Sequence, residues 1–284
     1  MGENFYAKKS LGQNFLKSRE IAAKIVDTAL ISTSDIVLEA GPGKGILTAE
    51  LLAVAREVIA VELDPRLVMY LKLKFSKEIE SGKLKLIEGD ILEFDPGGQN
   101  LQKGGYKLVA NLPYYITGKF LRRFLSETTQ PSMMALMLQQ EVAKRIVGRG
   151  GKESILSISV KVFSKPSISF NVPRGAFSPA PSIDSSIILI DEIDDKRLGQ
   201  KNTREIFFQI IKQAFGHKRK QLAGNLAPLY GSKENAEKAL VKASIAPTGR
   251  AEDISISQWI KMAKSSTLEN GEVPITEQES SDHT

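Results

Sequence analysis

The chain has 284 residues, 42% of them hydrophobic and 25% charged, which is enough to bury one large core and a smaller second one. The absence of cysteine excludes disulfides, thiolate zinc sites, iron–sulfur clusters and a cysteine nucleophile. The two histidines, His217 and His283, are little material for a metal site, so we expect no metal. Because neither a long apolar run nor an apolar signal core is present, we expect a cytoplasmic protein with no membrane span.

The net charge of +6 is unevenly distributed along the chain. Residues 265–284 carry five acidic side chains and no Lys or Arg, which predicts a disordered acidic tail. Residues 195–264 carry fourteen Lys or Arg against six Asp or Glu, a net charge of +8. Such a surplus suits nucleic acid as a partner, although an ordinary solvated surface would also account for it.

From about residue 35 to residue 139, short apolar runs alternate with amphipathic stretches, a pattern typical of a parallel sheet flanked by helices. The predicted strands are residues 36–40, 58–63, 84–88, 107–110 and 133–138. The predicted helices of this region are residues 46–55, 65–75 and 141–147.

The later elements are less regular. Residues 154–163 allow either strand or helix, because their Ser, Ile and Val content favours the first and their length allows the second. Residues 167–172 and 182–190 predict an antiparallel pair at a sheet edge, joined by the proline-rich segment 173–181. Beyond residue 195, apolar periodicity predicts helices over 205–215, 234–242 and 256–263.

Three of the predicted strands end in residues that suit a nucleoside. The first strand leads into Gly41, Gly43 and Gly45, which allow the backbone to approach a ligand closely. Glu62 follows about twenty residues later, where a carboxylate can accept hydrogen bonds from two ribose hydroxyls. Asp90 comes just after the third strand and is placed to accept from an adenine amine. Together these residues predict a nucleoside site at one edge of the sheet.

The spacing of the glycines distinguishes between two nucleoside cofactors. A dinucleotide site needs Gly-x-Gly-x-x-Gly, whereas here the third glycine follows the second after a single residue. This register favours S-adenosylmethionine over NAD. A tight strand-to-helix turn would explain the glycines alone equally well, but not the whole set in this order.

Directly after the fourth predicted strand, Asn111, Leu112, Pro113 and Tyr114 spell Asn-x-Pro-Tyr. Adenine N6 is a poor nucleophile because its lone pair is delocalised, so an enzyme must hold both amine hydrogens with acceptors. The Asn111 side-chain oxygen and a backbone carbonyl beside Pro113 can supply them, and Tyr114 can stack on an unstacked base. An ordinary turn is the alternative, since Asn, Pro and aromatic residues are common where strands end.

In combination these motifs, with others along the chain, resemble the rRNA adenine dimethyltransferases over residues from about 8 to 264. The matching segments are residues 12–16, 39–48, 62, 90, 111–117 and 177–181, followed by Asp184 and Ser185. The resemblance implies a Rossmann-like, class I S-adenosylmethionine-dependent methyltransferase fold, with a seven-stranded, mostly parallel sheet and a small all-α C-terminal domain.

The resemblance also implies roles for individual residues. The methyl donor would be held by Asn14, Leu16, Gly41, Gly43, Glu62, Asp90 and Asn111. The target base would lie between Tyr114 and Phe177, although a core aromatic is the alternative for Phe177. Lys218 and Arg219 would contact RNA, although they could also serve as cations at a helix C-terminus.

The implied organisation has four parts. Residues 1–34 form a basic arm and a helix closing over the cofactor, and residues 35–192 form the catalytic domain that binds S-adenosylmethionine. Residues 195–264 form a helical rRNA-binding domain, and residues 265–284 the acidic tail. Transfer would be direct, without a metal or a covalent intermediate.

Residues 214–222, with Asn225 and Leu226, resemble the KsgA type of this family, which implies two adjacent adenosines of the small-subunit rRNA 3′ hairpin as substrate. The expected partner is then the immature 30S subunit, and the expected state a monomer. Two alternatives stay open: an erythromycin-resistance (Erm) type enzyme acting on large-subunit rRNA, and an RNA-binding assembly or transcription factor that has lost catalysis. Binding of the donor would separate an enzyme from such a factor.

Overall fold

The computed structural model describes residues 7–8, 12–148, 150–217 and 220–269, apart from the side chains of residues 114, 268 and 269. The chain divides into two compact units. The first takes residues 1–149 and 159–195, and the second takes residues 150–158 and 196–284. Residues 150–158 therefore group with the C-terminal unit, whereas the sequence placed them in the catalytic domain.

The first unit is built on a sheet. Its strands are β1 (Phe15–Leu16), β2 (Ile36–Ala40), β3 (Glu57–Glu62), β4 (Leu84–Glu88), β5 (Lys107–Asn111), β6 (Met133–Gln139), β7 (Lys165–Val172), β8 (Phe177–Ser178) and β9 (Ser185–Asp191). Seven of them form one sheet in the order β4-β3-β2-β5-β6-β9-β7, in which β9 is antiparallel to both of its neighbours and the rest are parallel. The mostly parallel fold predicted from the sequence is confirmed.

The central strands are apolar along their whole length because helices cover both faces of a parallel sheet. Val37, Leu38, Leu108 and Val109 are completely buried. The helices of this unit are α1 (Arg19–Thr28), α2 (Ile46–Val54), α3 (Pro65–Lys74), α4 (Ser76–Glu80), α5 (Thr117–Ser126) and α6 (Gln140–Val147). A further helix, α7 (Ile155–Lys161), has its first four residues in the second unit and its last three in the first.

Local sequence fixes where several helices begin. The Ser18 side chain accepts a hydrogen bond from the Ile21 N–H at the start of α1. The Asp64 side chain accepts from the Arg66 N–H at the start of α3, where Pro65 occupies the first turn. Helix α7 settles the ambiguous segment 154–163 in favour of helix.

The order of the strands reverses beside β2. The chain runs from β2 outward through β3 to β4, and then returns to place β5 on the other side of β2. In open sheets of this kind the loops after the two central strands diverge and leave a crevice at their carboxyl ends. Residues 41 to 45 and residue 111 therefore meet at one place.

The strands β7 and β9 pair antiparallel, as predicted, but only β7 lies at the sheet edge because β9 also pairs with β6. The strand β8, inside the proline-rich link, pairs with β1 in a separate two-stranded sheet, with Phe15 opposite Ser178 and Leu16 opposite Phe177. This small sheet was not predicted, because two-residue strands have no readable periodicity.

The second unit contains the helices α8 (Lys201–Ala214), α9 (Leu222–Tyr230), α10 (Lys233–Lys242) and α11 (Ile256–Glu269). Its buried residues include Phe207, Leu226, Leu240 and Trp259. Helix α9 was not predicted, since it contains Gly224 and Pro228. Helix α11 continues through residues 265–269, where the sequence predicted the start of a disordered tail, and residues 270–284 lie outside the described residues. None of the described helices has the length and apolar character needed to span a membrane.

Candidate active site

A cavity of about 270 Å³ opens at the carboxyl ends of β2, β3, β4 and β5, where the strand order reverses. Residues from the N-terminal segment close one side of it. All seven residues that the sequence assigned to the methyl donor line this cavity: Asn14, Leu16, Gly41, Gly43, Glu62, Asp90 and Asn111. The topology therefore brings together residues that are almost a hundred positions apart in the chain.

The glycine loop after β2 follows a left-handed path, with φ of 70° at Gly41, 58° at Gly43 and 72° at Gly45. The third glycine has a packing role. A Cβ at position 45 would lie 2.6 Å from Cε2 of Phe75 and 2.8 Å from Cδ2 of Leu71, so no larger residue fits behind the loop. This close approach to Leu71 of α3 and to Phe75 explains why residue 45 is a glycine.

Glu62 is held by two backbone groups. Its Oε2 accepts from the Gly43 N–H at 3.0 Å and its Oε1 from the Asp64 N–H at 2.9 Å. Burial raises the pKa of Glu62, and these two bonds oppose the rise. Each carboxylate oxygen keeps a further lone pair, so the side chain can still accept from the two hydroxyls of a ribose.

A second acidic residue, Glu39, also lines the cavity and was not predicted as a site residue. It is 1% exposed, and its Oε2 has no hydrogen-bond partner among the described residues. Burial raises the pKa of Glu39 to about 8, an effect that the hydroxyl of Thr48 partly opposes and the nearby Glu62 reinforces. Its position at the end of β2, immediately before the glycine loop, was the signal that could have identified it.

Around Asp90, the cavity wall combines a carboxylate with apolar side chains. Oδ1 of Asp90 accepts from the Leu92 N–H at 2.8 Å, and the other carboxylate oxygen has no partner in the described part of the chain. Leu63, Ile91 and Leu92 line the same region, and Leu63 is 46% exposed. A flat ring bearing an amine fits such a slot. These three apolar residues were not predicted. In the sequence, Leu63 follows Glu62, and Ile91 and Leu92 follow Asp90.

The fourth strand brings Asn111 to the opposite wall. Its Nδ2 donates to the backbone carbonyl of Asn14 at 3.2 Å, an orientation fixed because two oxygens facing each other would repel. The side-chain oxygen of Asn111 has no partner among the described residues. Leu112 and Pro113 follow on the cavity wall, before the short helix Tyr114–Ile116. One wall thus offers hydrogen-bond acceptors to an amine.

A family model described as "Ribosomal RNA adenine dimethylase" matches residues 4–268, almost the whole chain. The chain belongs to this rRNA adenine dimethylase family. A ribosomal RNA small subunit methyltransferase A from Dehalococcoides mccartyi is 41% identical over 262 residues, covering 91% of this chain and 88% of that protein. The protein of the same name from Fusobacterium nucleatum is 36% identical, covering 92% and 97%.

Two solved structures of similar proteins agree with the fold. A dimethyladenosine transferase from Plasmodium falciparum has a TM-score of 0.75 and 25% identity, covering 89% of this chain and 98% of that one. The 23S rRNA methyltransferase ErmE has a TM-score of 0.70 and 27% identity, covering 88% and 98%. The fold is that of the class I S-adenosylmethionine-dependent methyltransferases.

Not every residue assigned from the family resemblance reaches the cavity. Phe177 is 2% exposed and does not line it, because the pairing of β8 with β1 packs its ring among Leu16, Val172 and Ala176. The structure therefore shows Phe177 as a core aromatic and not as an exposed stacking face. The Tyr114 side chain lies outside the described residues.

The neighbouring Tyr115, not predicted from the sequence, is 64% exposed and lines the cavity. It lies close to Gly12, since a Cβ at that glycine would be 3.5 Å from Cε1 of the tyrosine ring. An exposed aromatic ring therefore lies on the cavity wall, directly after the Asn-x-Pro-Tyr motif in the chain.

The basic segment of the second unit comprises residues 218–220, and the buried Asn225 binds the backbone that precedes it. Nδ2 of Asn225 donates to the carbonyl of Ala214, the last residue of α8, at 2.8 Å and to the carbonyl of His217 at 3.0 Å. Lys218 and Arg219 lie outside the described residues, and Lys220 just beyond them is exposed. Asn225 thus fixes the chain on the N-terminal side of this segment.

A metal site was not expected from the sequence. In the part of the chain that the structure describes, no group of three or more His, Asp or Glu side chains is arranged to hold a metal ion.

Proposed function

We propose that the protein transfers methyl groups from S-adenosylmethionine to N6 of two adjacent adenosines in the 3′-terminal hairpin loop of small-subunit (16S) rRNA. Each adenosine receives two methyl groups, during assembly of the small ribosomal subunit. The proposal is supported above all by Asn111, which lines the same cavity as Glu62 and Asp90 and uses its amide nitrogen to bind the Asn14 carbonyl.

The residues of the cavity fit the donor. Glu62 suits the ribose hydroxyls, because both of its oxygens keep a lone pair after binding two N–H groups. The unpartnered oxygen of Asp90 suits the adenine amine, while Asn14, Leu16 and the loop that begins at Gly41 suit the methionine portion. When bound, S-adenosylmethionine supplies a methyl group on a positively charged sulfur, already activated for direct transfer.

The acceptors on the opposite wall prepare the target amine. The Asn111 oxygen and the Leu112 carbonyl receive the two N6 hydrogens and draw the lone pair out of the ring, while Pro113 keeps the turn rigid. Tyr114 stacks on the base, a contact worth about 1–3 kcal/mol. The alkylated amine is strongly acidic, so it loses its proton without a dedicated base. A monomethylated amine still has one hydrogen for one acceptor, which allows a second transfer.

The proposal that the substrate is small-subunit rRNA rests on the names and sequence identities of the relatives. Those named for the small subunit are 41% and 36% identical to this chain, whereas the large-subunit enzyme ErmE is 27% identical. The basic residues Lys218 and Arg219 then contact the RNA of an immature 30S subunit. In this proposal the protein acts as a monomer in the cytoplasm.

The experiment supplies tritiated S-adenosylmethionine with either immature small subunits that lack the modification or protein-free large-subunit rRNA. We expect label in the small-subunit RNA, recovered as dimethyladenosine after digestion to nucleosides. The Asn111→Ala variant should give at most a trace of label. Label confined to large-subunit RNA would replace the substrate by that of the Erm type, and no binding of the donor would leave only an RNA-binding role.

A further inference from the structure

The N-terminal residues 12–16, called here the strap, form one wall of the cavity. The C-terminal end of the strap is held by β1, which pairs with β8, and by the Lys17 N–H, which donates to the Ala176 carbonyl at 2.9 Å. The middle of the strap is held by Asn111, whose Nδ2 donates to the Asn14 carbonyl. The strap therefore contacts the same asparagine that faces the target amine.

The side chain of Gln13 holds the N-terminal end of the strap. Its Oε1 accepts from the Lys8 N–H at 2.8 Å, and its Nε2 donates to Oδ2 of Asp64 at 3.2 Å. The ammonium group of Lys8 lies 3.4 Å from Oδ1 of Asp64. A primary amide is suited to this place because it accepts on one side and donates on the other.

Asp64 is a strong acceptor for this contact. Its side chain is completely buried, and hydrogen bonds from the Arg66 guanidinium and from Gln13 hold the pKa of the Asp64 carboxyl far below its usual range. The group is therefore ionised at neutral pH, and a hydrogen bond to an ionised, buried acceptor is roughly twice as strong as a neutral one. The backbone N–H of Asp64 also donates to Glu62.

A continuous set of hydrogen bonds thus joins the two walls of the cavity. It runs from Glu62 through Asp64 and Gln13 into the strap, and from Asn14 in the strap to Asn111. Each bond in this path lies within the first unit. A change at Gln13 is transmitted both to the carboxylate that suits the donor ribose and to the amide that suits the target.

We propose that Gln13 is a positioning residue of the reaction: its bond to Asp64 holds the strap closed over the bound methyl donor and, through the Asn14 carbonyl, keeps the Asn111 oxygen directed at the target amine. This inference rests on the function proposed above. The donor enters and leaves when this bond opens. Loss of the bond accelerates donor release and slows methyl transfer, since Asn111 loses its fixed orientation.

Exchanging the hydrogen-bond donor and the hydrogen-bond acceptor between residues 13 and 64 tests this contact. Gln13→Glu places a second carboxylate against Asp64 while still accepting from the Lys8 N–H, so the strap is repelled. Asp64→Asn leaves two amide nitrogens facing each other. The double variant Gln13→Glu with Asp64→Asn restores one donor and one acceptor in reversed positions. Lys103→Ala is the control, because it breaks an ion pair of the same unit, with Asp195, that involves neither the cavity lining nor the strap.

The measurements use the full chain: the dissociation rate of S-adenosylmethionine by rapid dilution, and the single-turnover rate of methyl transfer to small-subunit RNA. We expect Gln13→Glu to release the donor about tenfold faster and to lower the turnover rate, as loss of a hydrogen bond to a charged group predicts. The double variant should return both rates to within about threefold of the wild type, and Lys103→Ala should release the donor at the wild-type rate.

Two results would overturn the proposal: wild-type donor release by Gln13→Glu, or a double variant that releases the donor no more slowly than Gln13→Glu. Thermal unfolding of each variant identifies one that fails to fold, and the double variant still decides the outcome in that case. If the proposed function is wrong, the result is different: the wild-type protein binds the donor but transfers no methyl group to small-subunit RNA.

Discussion

Asn111 uses its side-chain nitrogen to bind the Asn14 carbonyl, so its oxygen is left for the substrate. An aspartate at this position has the same shape but no N–H to donate. It would therefore be repelled by the Asn14 carbonyl and would lose the orientation that the strap provides. The same residue contributes to the donor cavity and to the target site, which explains why a single substitution should affect both.

We predict that Asn111→Asp lowers kcat about a hundredfold or more at saturating donor, a loss typical of removing one preorganised polar group at a reacting centre. The donor Kd, measured by calorimetry, should rise as well. The control is Asn100→Asp, on an exposed loop of the same unit. A variant with wild-type kcat would show that the Asn111 amide has no part in preparing the amine.

Glu39 makes the free energy of unfolding depend on pH. Its pKa of about 8 in the folded protein exceeds the ordinary value of 4.5, so between these two pH values the folded chain binds a proton that the unfolded chain has lost. Stability from this group is fully present below about pH 4.5 and is lost as the pH rises through 8. Burial without a partner for Oε2 is the cause.

We predict that Glu39→Gln reduces the decline in the free energy of unfolding between about pH 4.5 and 8 by a few kcal/mol, since each pKa unit corresponds to about 1.4 kcal/mol. Urea unfolding across this pH range measures it. Glu88→Gln, at an exposed strand end, is the matched control. An equally steep decline in Glu39→Gln and the wild type would contradict the buried, protonated state of Glu39.

At the scale of elements, the parallel strands of the first unit were predicted within a residue or two, because buried strands of a parallel sheet are continuous apolar runs. The pairing of β1 with β8 could not be predicted, since it joins two-residue segments more than 160 positions apart. The same pairing buries Phe177, so a motif that correctly indicated the family did not reveal where its aromatic ring lies. Glu39 and Leu63 were not predicted, because a sequence does not reveal which side chains at the end of a strand face a cavity.

The contact between the glycine loop and α3 leads to a third prediction. Gly45→Ala requires a left-handed alanine and a Cβ within 2.6 Å of the Phe75 ring, so it should lower the free energy of unfolding by about 2–4 kcal/mol. Gly82→Ala is the matched control, because Gly82 has a similar φ of 76° but open space around it, and should cost about 1–2 kcal/mol. Equal losses in urea unfolding would show that the packing against α3 contributes nothing.

Across the two units, residues 195–264 carry a net charge of +8, whereas the cavity that suits the donor belongs to the first unit. This division suggests that affinity for RNA and chemistry at the base are separable. Release of counterions from RNA phosphates makes such affinity dependent on salt, and each contact contributes to the slope of log K against log salt concentration.

We predict that replacing both Lys218 and Arg219 by Ala weakens binding to small-subunit RNA and reduces this slope by about 1 to 1.5. The donor Kd should not change. Replacing Lys233 and Lys238 removes the same charge from α10, where these lysines pair with Glu237 and Glu234, and should leave the slope nearly unchanged. Equal effects of the two pairs would show that net charge alone determines binding.

Dimethylation of two adjacent adenosines in small-subunit rRNA can be measured by mass spectrometry of the 3′-terminal fragment. Unmodified small subunits are incubated with the protein and S-adenosylmethionine, and the fragment is cut out and sequenced. We expect four added methyl groups, two on each of two neighbouring adenosines, and none with Asn111→Ala. An unchanged mass for this fragment, with donor bound and the protein folded, would contradict it.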